Sequence, residues 1–120
     1  MHEIKFYYDK NGVSDVLNYL KALYEHSKTS KNHRINHDKI AMYLGLLKEH
    51  GTFIGEPVVK HIANSIWELR PLQNRIFFFH WKDNKFVLLH HFVKKTRETP
   101  KREITKAQNN LRDHIERHGK

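Results

Sequence analysis

Seven basic side chains fall in two short stretches of the chain: Arg70 and Arg75, then Lys94, Lys95, Arg97, Lys101 and Arg102. Arginine offers a planar fork of donors that meets a phosphate at two points, and lysine adds a compact point charge. His90 lies between the two stretches. Imidazole is the side chain that titrates near neutral pH without help from its surroundings. Residues of these types at one place can hold a phosphate group and move protons beside it. A lone histidine within a strand is also often structural, and strand-end cations are often simply solvated.

The whole chain leans the same way. Its 120 residues carry 22 Lys plus Arg against 13 Asp plus Glu, a formal charge of +9 before any of 11 histidines is protonated. Such an excess draws in polyanions and speeds association with them, so nucleic acid is the first partner to consider, then an acidic protein and third an anionic membrane. No cysteine is present, which excludes disulfides and thiolate chemistry. His33 and His37 are four residues apart but have no convincing third ligand, and no phosphate-binding glycine loop or nucleophile elbow occurs. Neither a metal nor another cofactor is expected. The start, MHEIKFYYDK, lacks the apolar run of a signal peptide. No apolar stretch approaches the roughly 20 residues that span a bilayer, so a cytoplasmic location without membrane contact is expected.

The elements that must position these residues follow from periodicity. Residues 3–8 alternate as a strand, and Asn11-Gly12 makes a turn. Val13, Val16, Leu17, Leu20, Leu23 and Tyr24 recur at helical spacing, with Ser14 and Asp15 suited to the helix start. The polar stretch 27–32 breaks that helix, and a second is expected over 35–50, ended by Gly51. A loop with Gly55 and Pro57 follows, in which Lys60 and His61 are expected to be exposed. Strands are expected at 66–70, 75–81 and 85–93, then a last helix opened by Thr99-Pro100. The order is β-α-α-β-β-β-α, an α+β layout with a small, mostly antiparallel sheet flanked by helices, in one domain over residues 1–120.

If Asp83-Asn84 is a two-residue hairpin loop, Phe79 pairs with Leu88, Phe77 with His90, Ile76 with His91 and Arg75 with Phe92. Arg75 then opens one strand where Lys94 and Lys95 close its neighbour, and Arg70 ends the strand before, so all four converge on one end of the sheet. One face carries Ile76, Phe78, His80, Val87, Leu89 and His91. The other carries Arg75, Phe77, Phe79, Trp81, Phe86, Leu88, His90 and Phe92. The helical hairpin can cover one face, whereas a single short C-terminal helix leaves part of the second open. Rings such as Phe77 on that second face are either a stacking platform for single-stranded RNA or core beneath the last helix. A one-residue slip would exchange the faces.

The stretch Ile66-Trp67-Glu68-Leu69-Arg70, then Arg75-Ile76-Phe77-Phe78-Phe79, Leu88-Leu89-His90 and Phe92-Val93-Lys94-Lys95-Thr96, resembles the phage-derived, HigB-type branch of the RelE toxin superfamily. Thr99-Pro100 and Glu103-Ile104 with Ala107 continue the likeness, which covers about the last half of the chain. The resemblance implies a RelE-like fold and the toxin of a type II toxin–antitoxin pair. Such a toxin enters the ribosomal A site and cuts mRNA as a metal-independent endoribonuclease. It implies as partners the ribosome, mRNA and a helix-turn-helix antitoxin, with DNA reached only through the antitoxin. By the same resemblance Arg75 and Lys95 bind the phosphate or transition state, with Arg70 and Lys94 as further RNA contacts and Lys101 and Arg102 facing ribosomal RNA. His90 is the candidate for proton transfer and Phe77 for base contact. No tyrosine follows Tyr43, and Glu68 stands where some relatives carry a cation. The rival readings are a non-catalytic RNA- or ribosome-binding protein and a phage-derived interaction protein.

Overall fold

The computed structural model describes residues 1–120. After strand β1 (Glu3–Phe6), Ser14 opens helix α1 (Asp15–Ser27) by accepting a hydrogen bond from the Leu17 N–H at 3.2 Å. That bond satisfies one of the donors every helix start leaves free. Helix α2 (Lys31–His50) starts earlier than the polarity of residues 27–32 suggests. Ser30 is its cap, accepting from the His33 N–H at 3.3 Å, so most of that stretch belongs to helix ends rather than to a linker. Gly51 ends α2 with φ +65°, and a Cβ there would lie 2.8 Å from the His2 ring. Both the backbone angle and the close approach call for glycine.

After a 3₁₀ turn at Gly51–Ile54 come β2 (Val59–Ala63), β3 (Ile66–Leu69), β4 (Asn74–Trp81), β5 (Lys85–Val93) and helix α3 (Lys101–His118). They form one five-stranded sheet in the order β1-β5-β4-β3-β2, antiparallel except for the β1–β5 pair. The α+β class and the order of the expected elements hold. β2 is an added strand where a loop was expected, although Lys60 and His61 are exposed on it. It is short, and a register shift between His61 and Ala63 disrupts the alternation that would mark it in the sequence.

The β4–β5 hairpin departs from the expected register near its turn and returns to it further on. Trp81 pairs with Lys85, so the loop is Lys82-Asp83-Asn84, with Asp83 and Asn84 at φ +58° and +56°. Asp and Asn tolerate that left-handed region better than other side chains do. Phe79 therefore faces Val87 and Phe78 faces Leu88. A bulge then admits Leu89 as an extra residue on β5, after which Phe77 pairs with His90, Ile76 with His91 and Arg75 with Phe92.

The bulge decides which core each residue joins. Phe86 and Leu88 move to the α1–α2 side with Ile76, Phe78, Val16, Leu23, Ile40 and Leu47. Val87 and Leu89 join Phe77, Phe79 and Phe92 beneath Ala107 of α3. Phe77 is 0% exposed, so it is core and does not offer a ring for stacking RNA bases.

Two polar networks tie the layers together. At the far end of α3, Asp113 accepts hydrogen bonds at 2.7 Å from both the Tyr7 hydroxyl and Arg117 Nη2. Burial, reinforced by the Asp113 bond, pushes the Tyr7 hydroxyl up to about 12. On the other face, Asn74 Oδ1 lies 2.7 Å from the donating Tyr19 hydroxyl and 3.2 Å from His91 Nε2, and Asn74 Nδ2 donates to Asn36 at 2.9 Å. No helix is long and apolar enough to cross a membrane.

Burial holds His91 and His114 down to about 4, against 6.5 for free imidazole, with neighbouring His90 and His118 respectively adding to the effect. A folded-state value below the unfolded one means that the native protein resists protonation. This stability is complete above pH 6.5 and is lost as pH falls from there toward 4, by at most about 3 kcal/mol per histidine. Urea unfolding at pH 7.5, 6, 5 and 4 is expected to show this loss, and His114→Phe should flatten the dependence. An unchanged slope in that variant would remove His114 from the account.

Candidate nucleic-acid interface

The site is built where β3 ends and β4 begins. Glu68 of β3 pairs with Phe77, which places its side chain on the α3 face, diagonal to Arg75. Its carboxylate is 1% exposed, and its Oε1 lies 3.4 Å from Arg70 Nε and 3.8 Å from Arg75 Nε. Its Oε2 accepts from the Thr99 hydroxyl at 3.3 Å, just before α3 begins. One buried carboxylate thus draws two guanidinium groups and the α3 entry to a single point. A buried carboxylate needs such partners, because an isolated one loses far more in hydration than it regains.

Arg75 is 8% exposed. Its Nη1 donates to the carbonyls of Leu72 at 2.7 Å and Asn74 at 2.8 Å, in the turn where Leu72 adopts φ +58°. Nη2 has no hydrogen bond within the protein and is not fully buried, so it is the edge of the guanidinium left for an outside acceptor. Burial lowers the Arg75 pKa from its ordinary value and the Arg70 charge lowers it further, while Glu68 opposes both. The group still stays charged at any physiological pH. Arg70 is also held by Glu56 at 3.5 Å.

His90 shares the Arg75 face, as the register after the bulge requires, but it is only 5% exposed. Its Nε2 lies 2.7 Å from Glu103 Oε1 in the first turn of α3. The opposite ring nitrogen, Nδ1, is buried without a partner. This geometry corrects the expectation for His90: it anchors α3 to the sheet, and burial keeps it from meeting a substrate directly. Phe77, expected to contact RNA, is corrected for the same reason.

The remaining basic residues are arranged differently. Asn74 pairs with Val93, and the Lys94 N–H donates to Gln73 O at 2.8 Å, so β5 leaves the sheet beside the Arg70–Arg75 turn. Lys94 is half-buried, whereas Lys95, Arg97, Lys101 and Arg102 are exposed. Arg102 leans toward Glu103, at 3.8 Å. Lys94, Lys95, Arg97 and Lys101 have no carboxylate within 4.0 Å. Arg70 and Arg75 are largely neutralised by Glu68 and Glu56, and the uncompensated positive charge of this end lies on the segment from β5 to α3. Unpaired cations on a connecting segment suit phosphate binding, because each has only counterions to release.

Sequence reasoning missed Glu68, Thr99 and Glu103 as organisers of this end. The signal for Glu68 is an acid inside the apolar run Ile66-Trp67-Glu68-Leu69, which demands a buried partner. Glu103 reads in sequence as an ordinary acidic residue in a first helical turn, and only the fold brings it to His90.

A five-stranded mixed sheet with a helical hairpin on one face, a single helix on the other and a basic connecting segment at one end defines an α+β domain of RelE-like layout. The chain belongs to the Gp49-like phage-derived family: residues 21–112 match the family described as Phage derived protein Gp49-like (DUF891). That family is associated with RelE-like toxins. The matched stretch includes β2 to β5, both sides of the Arg70–Arg75 turn and the cationic segment, and leaves out β1. No curated protein matches the chain.

Proposed function

We propose that this protein is the toxin of a type II toxin–antitoxin pair, of the HigB type, and cuts mRNA on the ribosome. In such a cleavage the ribose 2′-oxygen forms a bond to phosphorus and the bond from phosphorus to the 5′-oxygen breaks. The 2′-OH loses a proton, the leaving 5′-oxygen gains one, and the products are a 2′,3′-cyclic phosphate and a 5′-hydroxyl. Arg75 Nη2 and Lys95 are assigned the negative charge that builds on the phosphorane. Arg70, Lys94, Lys101 and Arg102 are assigned RNA backbone contacts on either side, and Glu68 holds the arginines in place. The reading is supported by one observation above others: in a Gp49-like chain, the segment that carries the unpaired lysines leaves β5 beside the turn that holds the Arg75 guanidinium. The proposed setting is the cytoplasm, with a helix-turn-helix antitoxin as the neutralising partner.

Burial of Arg75 and His90 favours a second reading, in which the same segment binds RNA or the ribosome without cutting. Induced expression in a bacterial host separates the two. Cutting gives growth arrest and primer-extension stops inside translated messages. Co-sedimentation with ribosomes and intact messages would instead establish the second reading. In either case, Lys94→Ala, Lys95→Ala and Lys101→Ala should each weaken binding to a single-stranded RNA without sequence bias. Each should also reduce the salt dependence by about one phosphate contact, read from titrations between low and physiological salt.

A further inference from the structure

Helix α3 does not finish covering its face of the sheet. Ala107 is fully buried over Phe77 and Phe92, but Leu111 and Ile115, further along the helix, are only partly buried. A groove of about 660 Å³ opens there between α3, the end of β4 and the β2–β3 turn. Ile66 and Phe79 lie deep in it, and Trp81, Leu111 and Ile115 are its half-open apolar walls. Gln108, Leu111, Arg112, Ile115 and Glu116 line it from α3 at helical spacing, so it runs along the helix for about two turns, roughly 12 Å. It lies at the opposite end of β4 from Arg75 and is separate from the proposed RNA site.

We propose that this groove seats an acidic amphipathic helix of a partner protein. The charge around it is lopsided: exposed Lys82, Arg112 and Lys120 line it against a single acid, Glu116. Aliphatic walls take leucine-like side chains, and flanking glutamates would meet the cations, which is the helix-in-groove mode of recognition. RNA fits less well. Of the three rings that line it, Phe79 is buried at 4% exposure, His80 packs against His2 and Phe86, and Trp81 already has the Lys82 and Lys85 ammonium groups 4.8 and 5.8 Å from its centre and the His114 ring edge-on at 4.5 Å. Ile66, Leu111 and Ile115 give a base nothing to stack on.

The probe is a synthetic 16-residue helical peptide with leucines on one stripe and glutamates flanking it, titrated into the ¹⁵N-labelled full chain. The Trp81 indole N–H, which donates to Gly119 O at 2.9 Å, reports from the groove, and Trp67 on the opposite face is the internal control. Saturable shifts at Trp81 and the α3 amides of residues 108–116, with Trp67 unmoved, are expected. Arg112→Glu with Lys120→Glu should raise Kd at least tenfold, and a peptide with lysine in place of glutamate should not bind. Both substitutions are at exposed positions, so a preserved amide spectrum shows an intact fold. Absence of saturable shifts up to millimolar peptide would overturn the proposal. So would equal shifts from a single-stranded RNA oligomer, or a concentration-dependent dimer that uses the groove.

Discussion

Arg75→Ala should reduce the proposed ribosome-dependent mRNA cleavage by about 10²- to 10³-fold, the usual loss when one preorganised donor to a developing oxyanion is removed. Arg75 is fixed before any substrate arrives: two carbonyls hold Nη1, Glu68 lies beside Nε, and the strand start leaves only Nη2 open. A guanidinium held this way loses little entropy when it meets a phosphate, which is why it should serve the transition state better than a mobile surface lysine. Arg75→Lys should recover only part of the activity, since a compact ammonium lacks the planar fork in which one nitrogen binds the two carbonyls while another faces outward. Thermal unfolding of each variant separates lost activity from lost fold, because alanine also removes a partner from the buried Glu68. If Arg75→Ala cuts translated mRNA at the wild-type rate while Lys95→Ala does not, charge stabilisation belongs to the lysines.

The second large effect is on stability and concerns Glu68. Glu68→Ala should destabilise the fold by about 3–5 kcal/mol, the range seen when one member of a buried charge cluster is removed and the rest are left uncompensated. Arg75, at 8% exposure, cannot recover its hydration without leaving its strand, and Thr99 loses its acceptor at the start of α3. Glu68→Gln keeps the shape and an acceptor for Thr99, so its cost should be clearly smaller. Chemical denaturation of the two variants checks the order. Equal and small costs, under about 1 kcal/mol, would mean that the arginines are solvated in the native state and that Glu68 organises nothing.

Much of this end was legible in the sequence. The convergence of Arg70, Arg75 and Lys94 follows from strand order alone, because a residue that opens one strand must lie beside those that close its antiparallel neighbour. The expected pairs of Arg75 with Phe92 and Phe77 with His90 also form, but for a reason the sequence conceals. A three-residue loop shifted the register by one, and a bulge at Leu89 shifted it back. Between those two events the faces are exchanged, so Phe86 and Leu88 lie under the helical hairpin and not under α3. Periodicity cannot detect this in a strand that is apolar on both faces, since every position reads as buried. Strand β2 was hidden by its bulge and by the adjacent polar pair Lys60-His61. The burial of Phe77 and His90 is not fixed by the sequence pattern, because it depends on how α3 lies, and no local pattern fixes the tilt of a single helix on a sheet.

The most direct test uses purified ribosomes programmed with one defined message, wild-type protein, and end analysis of the RNA. The expected result is cleavage within the occupied codon, leaving a 2′,3′-cyclic phosphate and a 5′-hydroxyl, absent without ribosomes and nearly absent with Arg75→Ala. Protein that binds the programmed ribosome while the message stays intact would contradict the nuclease assignment and leave the basic segment as a binding surface alone.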